Sequence, residues 1–271
     1  MSYIARAYGG AILVGGLAPV VGAFIVQRRQ ALIGDGLGHL AFAGAAGAAL
    51  LSVSPLPLTL GITVAGAVLL EWLQRFARAR ADVALSVIYY AGIAAGVVML
   101  SATQSYASSA LTLLFGSLLT ITASDLLLIA AVLGGAALVT LAGYRTFFLM
   151  VLDEKAAAVA GVPVGPTATL LTALAASVVV AGIRAVGVLL IAALLVIPAA
   201  AAQRVARSFK ASLLLGSAFG ASGGIAGVWL AIRLDWPPGA TIVLLAIVLY
   251  LAMVVAIPIW SRVGGRRHSA Q

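Results

Sequence analysis

Long apolar runs alternate with short polar breaks along the chain, and the runs have the length of a bilayer core. They fall at 8–26, 34–53, 56–73, 83–102, 124–143, 166–183, 185–203, 211–232 and 239–260. A helix needs about 20 predominantly apolar residues to cross the hydrocarbon layer. The pattern therefore predicts an all-α polytopic membrane protein with about nine transmembrane helices, eight being the other count considered. A tenth stretch, 110–121, is too short to cross and is expected to lie on the surface or re-enter. The first run has only Arg6 before it and Arg28 and Arg29 after it, the flanks of a span rather than of a cleaved signal. No linker or soluble module interrupts the pattern, so residues 1–271 are expected to form a single transmembrane domain.

Composition agrees. The 271 residues are 63% hydrophobic and 8% charged, with a mean hydropathy of +1.19, a balance foreign to soluble globular domains. The net charge of +9 invites a nucleic-acid reading until it is placed on a topology. With the N-terminus outside and the sides alternating, Arg28, Arg29, Arg75, Arg78, Arg80, Arg145, Lys155, Arg204, Arg207, Lys210, Arg262, Arg266 and Arg267 fall inside. Only Arg6, Arg184 and Arg233 fall outside, and such a positive-inside bias is a topology signal. No nucleic-acid partner is expected; the bilayer is the partner that the charge addresses. Trp72, Trp229, Trp236 and Trp260 sit at or just beyond span ends, where indole favours the interface. Gly216, Gly220 and Gly224, Gly223 with Gly227, and Gly92 with Gly96 recur at spacings of four, which predicts close helix packing.

The seven acidic residues can be weighed singly. Asp82 and Asp125 open predicted spans, where they would cap helix N-termini. Glu71 stands four residues before Arg75, an orientation that supports an ion pair within one helix. Asp153 and Glu154 lie in the longest inside loop, and Asp235 in an outer turn. Asp35 and His39 resist such readings. They are one helical turn apart and so share a helix face, and His39 is the only histidine outside the C-terminal tail. A cap role would account for Asp35 but not for His39, which sits among Leu37, Leu40, Ala41 and Phe42. At 1.5 Å per residue, His39 lies ~15 Å into a helix that begins after Arg29, or ~7 Å into one that begins at Gly34. Ionisable residues inside spans mark ion pathways, and a carboxylate with an imidazole suits a first-row divalent metal.

What the chain lacks narrows the function. The lysines, Lys155 and Lys210, lie in no phosphate-binding loop, so ATP would have to be bound and hydrolysed by a separate chain. No zinc-hydrolase, serine-hydrolase or Cys/His signature occurs, and no enzymatic activity is expected. Cysteine is absent and Met numbers four, which disfavours a soft copper(I) site. The spans hold almost no further ionisable group to complete a proton relay, so an ATP-driven machine with a separate motor fits better than a secondary transporter. Within the inside loop, the Ala-rich stretch 154–161 has high helix propensity, with Gly161 placed as C-cap and Pro163 as a stop. It could present small side chains to an ATPase subunit or be an ordinary solvated helix.

The segment from Arg28-Arg29 through Gly34-Asp35, three residues, His39 and the small-residue run to Gly44 resembles the membrane permeases of bacterial zinc and manganese ABC importers. A second segment, Val186-Gly187-Val188-Leu189-Leu190 to Pro198-Ala199-Ala200, is similar to another pattern of that family. Weaker echoes are Phe115 to Leu119, Asp82, and Pro238-Gly239-Ala240. The resemblance covers nearly the whole chain and implies a type II ABC importer permease in the bacterial plasma (inner) membrane. Its N-terminus would be outside and its C-terminus cytoplasmic. It implies a homodimer around a metal pathway, a cytoplasmic ATP-binding subunit, and an extracytoplasmic solute-binding protein that delivers the ion. Asp35 and His39 then become metal ligands or gate residues, and the stretch with Glu154, Ala158 and Gly161 becomes the ATPase coupling helix. Some zinc-type relatives carry a histidine where Tyr90 aligns, which makes Tyr90 a neighbour of the pathway. No cofactor would be bound by this chain; zinc, favoured narrowly because imidazole suits it, or manganese would be the transported ion. A permease for a metal chelate, haem or cobalamin is the alternative within transport, and an ATPase-independent secondary transporter the alternative outside that class.

Overall fold

The structure is a computed structural model that describes residues 3–77, 80–103, 116, 118 and 121–265, without the side chains of 189 and 257–265. Most of the 110–121 stretch, Arg78, Arg266, Arg267 and the side chains of Trp260 and Arg262 thus lie outside the described residues. Eleven helices and no strand occur among those described. They are α1 (Tyr3–Gln27), α2 (Ile33–Leu51), α3 (Pro55–Arg75), α4 (Ala81–Ser101), α5 (Ala123–Ala142) and α6 (Tyr144–Leu152). After these come α7 (Glu154–Val159), α8 (Val164–Val186), α9 (Val188–Val205), α10 (Phe209–Leu234) and α11 (Pro238–Gly265).

Among the described residues seven helices, α1, α3, α4, α5, α8, α10 and α11, are long and apolar enough to cross a membrane. The two further runs expected to span, 34–53 and 185–203, form α2 and α9, which are not among the seven. In α2 the polar pair Asp35 and His39 and five glycines dilute the hydrophobicity. α9 follows the turn at Gly187 (φ 86°) and runs for 18 residues, Val188–Val205.

Small residues set the packing. α1 and α10 cross so closely that a Cβ at Gly15 would strike the Gly220 carbonyl, and one at Gly220 the Gly15 carbonyl. Gly224 rests on Ala11 of α1, and Gly227 on Ile242 of α11, while Gly223 faces open space. α2 meets α4 in the same manner: Gly92 lies on the His39 backbone and Gly96 under the Phe42 ring. At one end of the bundle Phe24, Tyr144, Phe147, Phe148 and Phe209 form an aromatic cluster, with Phe24 and Phe209 edge to face at 4.9 Å. That cluster anchors the short helix α6 to α1 and α10.

The acidic residues divide. Asp125 closes a capping box with Thr122 at the start of α5 and pairs with Arg184 at 2.7 Å. Asp153 caps α7 by accepting from the Lys155 and Ala156 amides. Asp235 ends α10 in the left-handed region. Asp82, expected as a cap, lies in the first turn of α4, where Arg80 is the N-cap and no side-chain cap bond forms. Asp35 is not a cap either, since Leu32 occupies that position of α2.

Candidate functional site

α2 starts at Ile33, so Asp35 belongs to its first turn and His39 stands one turn further on. Six residues at 1.5 Å place His39 ~9 Å from the first helical residue, nearer the shallower of the two expected depths. Gly34 and Gly38 share the adjoining face and fit against Ala192 and Val188 of α9, while Gly36 meets Leu85 of α4. The first half of α2 is thereby wedged between α4 and α9. The imidazole is buried, 7% exposed, and Asp35 is half-buried. Among the described residues neither side chain has a hydrogen-bond or ion-pair partner, so their lone pairs are not committed elsewhere.

The ring that covers His39 is Tyr89, with centroids 4.4 Å apart and planes at 74°. It gets there because Gly92, one turn on along α4, lets that helix lie on the His39 backbone. Tyr90 points elsewhere. It is 67% exposed and touches the site through Tyr89, edge to face at 5.3 Å. Sequence reasoning missed Tyr89, although its spacing of three from Gly92 places both on one face. No group of three His, Cys, Asp or Glu side chains forms among the described residues. One copy of the chain therefore offers a carboxylate and an imidazole, two ligands of hard and borderline character.

A second cluster lies where α1 ends. Arg28 Nη1 donates to Glu71 Oε1 at 2.8 Å, with both side chains 8% exposed. Thr172 Oγ1 of α8 donates to the same oxygen at 2.6 Å, and Arg28 Nη2 reaches Glu154 Oε1, at the start of α7, at 3.5 Å. Glu71 was expected to pair with Arg75 within α3. It faces the core instead, beside Leu70, and takes its cation from α1. Gln30 of the α1–α2 turn also donates to Gln74 of α3 at 3.2 Å. The turn that delivers Asp35 is thus tied to α3 and, through Arg28, to α7.

α7 itself is short and mostly solvent-facing. Ala157 is buried, whereas Val159 is 91% exposed. Gly161, with φ +84°, follows the C-cap Ala160 and closes the helix, its amide donating to the Ala158 carbonyl at 3.1 Å. Glu154, Ala158 and Gly161 therefore lie together on one exposed knob, well separated in sequence and in element from Asp35, His39 and Tyr90.

Apolar helices packed on glycines around an uncommitted carboxylate–imidazole pair define a multi-pass membrane transport subunit. Residues 1–257 match the ABC 3 transport family, and the chain belongs to that family as a metal-ion ABC importer permease. It is 30% identical over 252 residues to the manganese transport system membrane protein MntC of Halalkalibacterium halodurans, covering 92% of this chain and 85% of that protein. It is 27% identical over 241 residues to the manganese import system permease protein ScaB of Streptococcus gordonii, covering 89% and 86%. Among solved structures it is similar to PsaBC from Streptococcus pneumoniae in complex with Fab. The TM-score is 0.85 and the identity 26%, over 93% of this chain and 91% of that one.

Proposed function

We propose that two copies of this chain form the membrane pathway of an ATP-driven importer for a first-row divalent metal, manganese placed first and zinc second. The names of the related permeases favour manganese over the narrow preference for zinc that the imidazole suggests. The observation that carries the reading is the pair itself, a buried imidazole and a neighbouring carboxylate, uncommitted among the described residues and held on a helix wedged between two others. Asp35 supplies negative charge that offsets dehydration of the ion, and His39 adds a nitrogen ligand. Two ligands per copy make a weak site, which suits a conduit because tight binding would trap the ion.

In this proposal the whole chain is one type II permease domain of nine spans in the bacterial plasma membrane. α2 and α9 make up the number, and the N-terminus lies outside. α7, with Glu154, Ala158 and Gly161, is the knob on which a cytoplasmic ATPase subunit bears. An extracytoplasmic binding protein delivers the ion at the opposite face. When the ATPase moves α7, the Glu154–Arg28–Glu71 chain of contacts passes the displacement to the α1–α2 turn and hence to Asp35.

The test is cellular manganese and zinc content in metal-limited medium. A strain deleted for the importer would be rescued with the native operon or with one whose ATPase has its nucleotide-binding lysine replaced. Restoration of one metal by the native operon alone is the expected result. Uptake that survives loss of ATP hydrolysis would favour a secondary transporter, and failure to restore either ion would point to a chelate.

A further inference from the structure

The last turn of α3 and the first turns of α8 enclose a groove of about 580 Å³ lined by Val68, Trp72, Arg75, Phe76, Pro166 and Leu170. Its walls are mostly apolar, with Thr169 and the buried, paired Glu71 also in the lining, and Arg75 is the exposed charge at its mouth. Arg75 lays its guanidinium over Gly165, where the missing Cβ makes the space. Its neighbour one turn back, Glu71, is taken by Arg28 and Thr172, and among the described residues Arg75 has no ion-pair or hydrogen-bond partner of its own. Trp72 and Phe76, rings 6.5 Å apart, stand exposed beside it in the manner of aromatic side chains at a membrane interface.

A cation at the head of an apolar cleft, at the polar end of a span, is complementary to an amphiphile with an anionic head. A soluble anion would gain nothing from the wall that Val68, Leu170 and Ala173 provide, and an acyl chain would leave the guanidinium alone. Basic pockets between spans hold acidic headgroups by this logic. We infer that the groove binds an anionic phospholipid, its phosphodiester on Arg75 and one acyl chain along Val68, Leu170 and Ala173. Arg75 belongs to the same end of the bundle as Arg28 and Glu154, so the lipid lies beside the contacts that tie α7 to α3. The inference needs only that the chain spans a membrane, and it stands whether or not Asp35 and His39 carry the ion.

The experiment uses the purified permease with Trp229, Trp236 and Trp260 replaced by Phe, so that Trp72 is the sole indole. Quenching of Trp72 is measured with brominated phosphatidylglycerol and brominated phosphatidylcholine in mixed micelles and, for the assembled importer, in nanodiscs. Native mass spectrometry of the unmodified chain counts retained lipid independently. One guanidinium at the surface is worth about fivefold in preference for the anionic lipid. The native groove is expected to show that preference, Arg75→Lys to keep most of it, and Arg75→Gln to bring the two lipids within twofold. Arg207→Gln, an exposed charge on another surface, should leave the preference intact. Equal quenching by both lipids, an undiminished preference in Arg75→Gln, or an equal loss in Arg207→Gln would overturn the assignment. So would absence of quenching in the assembled importer, which would give the groove to a protein partner.

Discussion

Several helix pairs in this permease meet backbone to backbone, and two of them differ in whether they bring chemistry to the seam. α1 and α10 cross on Gly15 and Gly220, with Ala11, Pro19, Gly216 and Gly224 beside them, and nothing at that crossing ionises. α2 and α4 cross on Gly92 and Gly96, yet there the close approach sets a buried imidazole under a tyrosine ring. Small residues let membrane helices approach wherever packing demands it, so glycine spacing by itself says nothing of transport. Function enters where the same geometry holds a polar group that has no hydrogen-bond or ion-pair partner among the described residues.

Substitutions at the first crossing should do the most damage, because the neighbour in the way is backbone. Gly15→Val places a side chain where the Gly220 carbonyl lies, and overpacking of this kind costs about 3 kcal/mol or more. Loss of the monodisperse peak on detergent gel filtration is expected, while Gly223→Val, facing open space, should elute as the native chain does. A folded Gly15→Val protein would mean that the crossing is looser than described.

The charged cluster between α1, α3 and α7 comes next. Arg28→Met strands Glu71, and a buried ion left without its partner typically costs ~3–5 kcal/mol. The melting temperature in detergent should fall by several degrees, with partial recovery in Arg28→Met/Glu71→Gln. Glu154→Gln, at the exposed end of the cluster, should change stability by less than ~0.5 kcal/mol yet lower uptake several-fold. Unchanged uptake in that variant would remove Glu154 from the link between α7 and α2.

A smaller effect sharpens the second crossing. If Tyr89 holds the imidazole by ring contact, Tyr89→Phe should be silent in both stability and uptake. Tyr89→Leu should lose about 1 kcal/mol of packing and reduce uptake two- to fivefold, and Tyr90→Leu should do neither. Uptake lost in Tyr89→Phe would instead assign the phenol oxygen to the ion.

Much of this was legible in the chain. Apolar runs near 20 residues gave the helices, and the spacing of Asp35 and His39 gave their shared face, because both depend only on periodicity along one element. The misses concern partners across elements. Glu71 reads as a mate for Arg75 because four residues bring two side chains together on an isolated helix. Burial of that face turns Glu71 to Arg28, 43 residues away. Tyr89 and Tyr90 are adjacent in sequence, and only the orientation that Gly92 imposes on α4 decides which ring meets His39. α6, nine residues and apolar, is too short to read as a span; the aromatic cluster that stabilises it draws on three separate helices. Asp125 and Asp153, by contrast, act on their own helix ends, where sequence position is informative.

The most direct measurement compares metal accumulation by the deletion strain carrying native chain, Asp35→Ala or His39→Ala, at matched membrane abundance. Both variants should fold, since neither side chain makes a hydrogen bond or ion pair among the described residues and His39 gives up only its ring contact with Tyr89. Both should lose at least tenfold of the initial rate of uptake. Rates equal to the native chain in both would make the pair structural and take the ion's path away from α2.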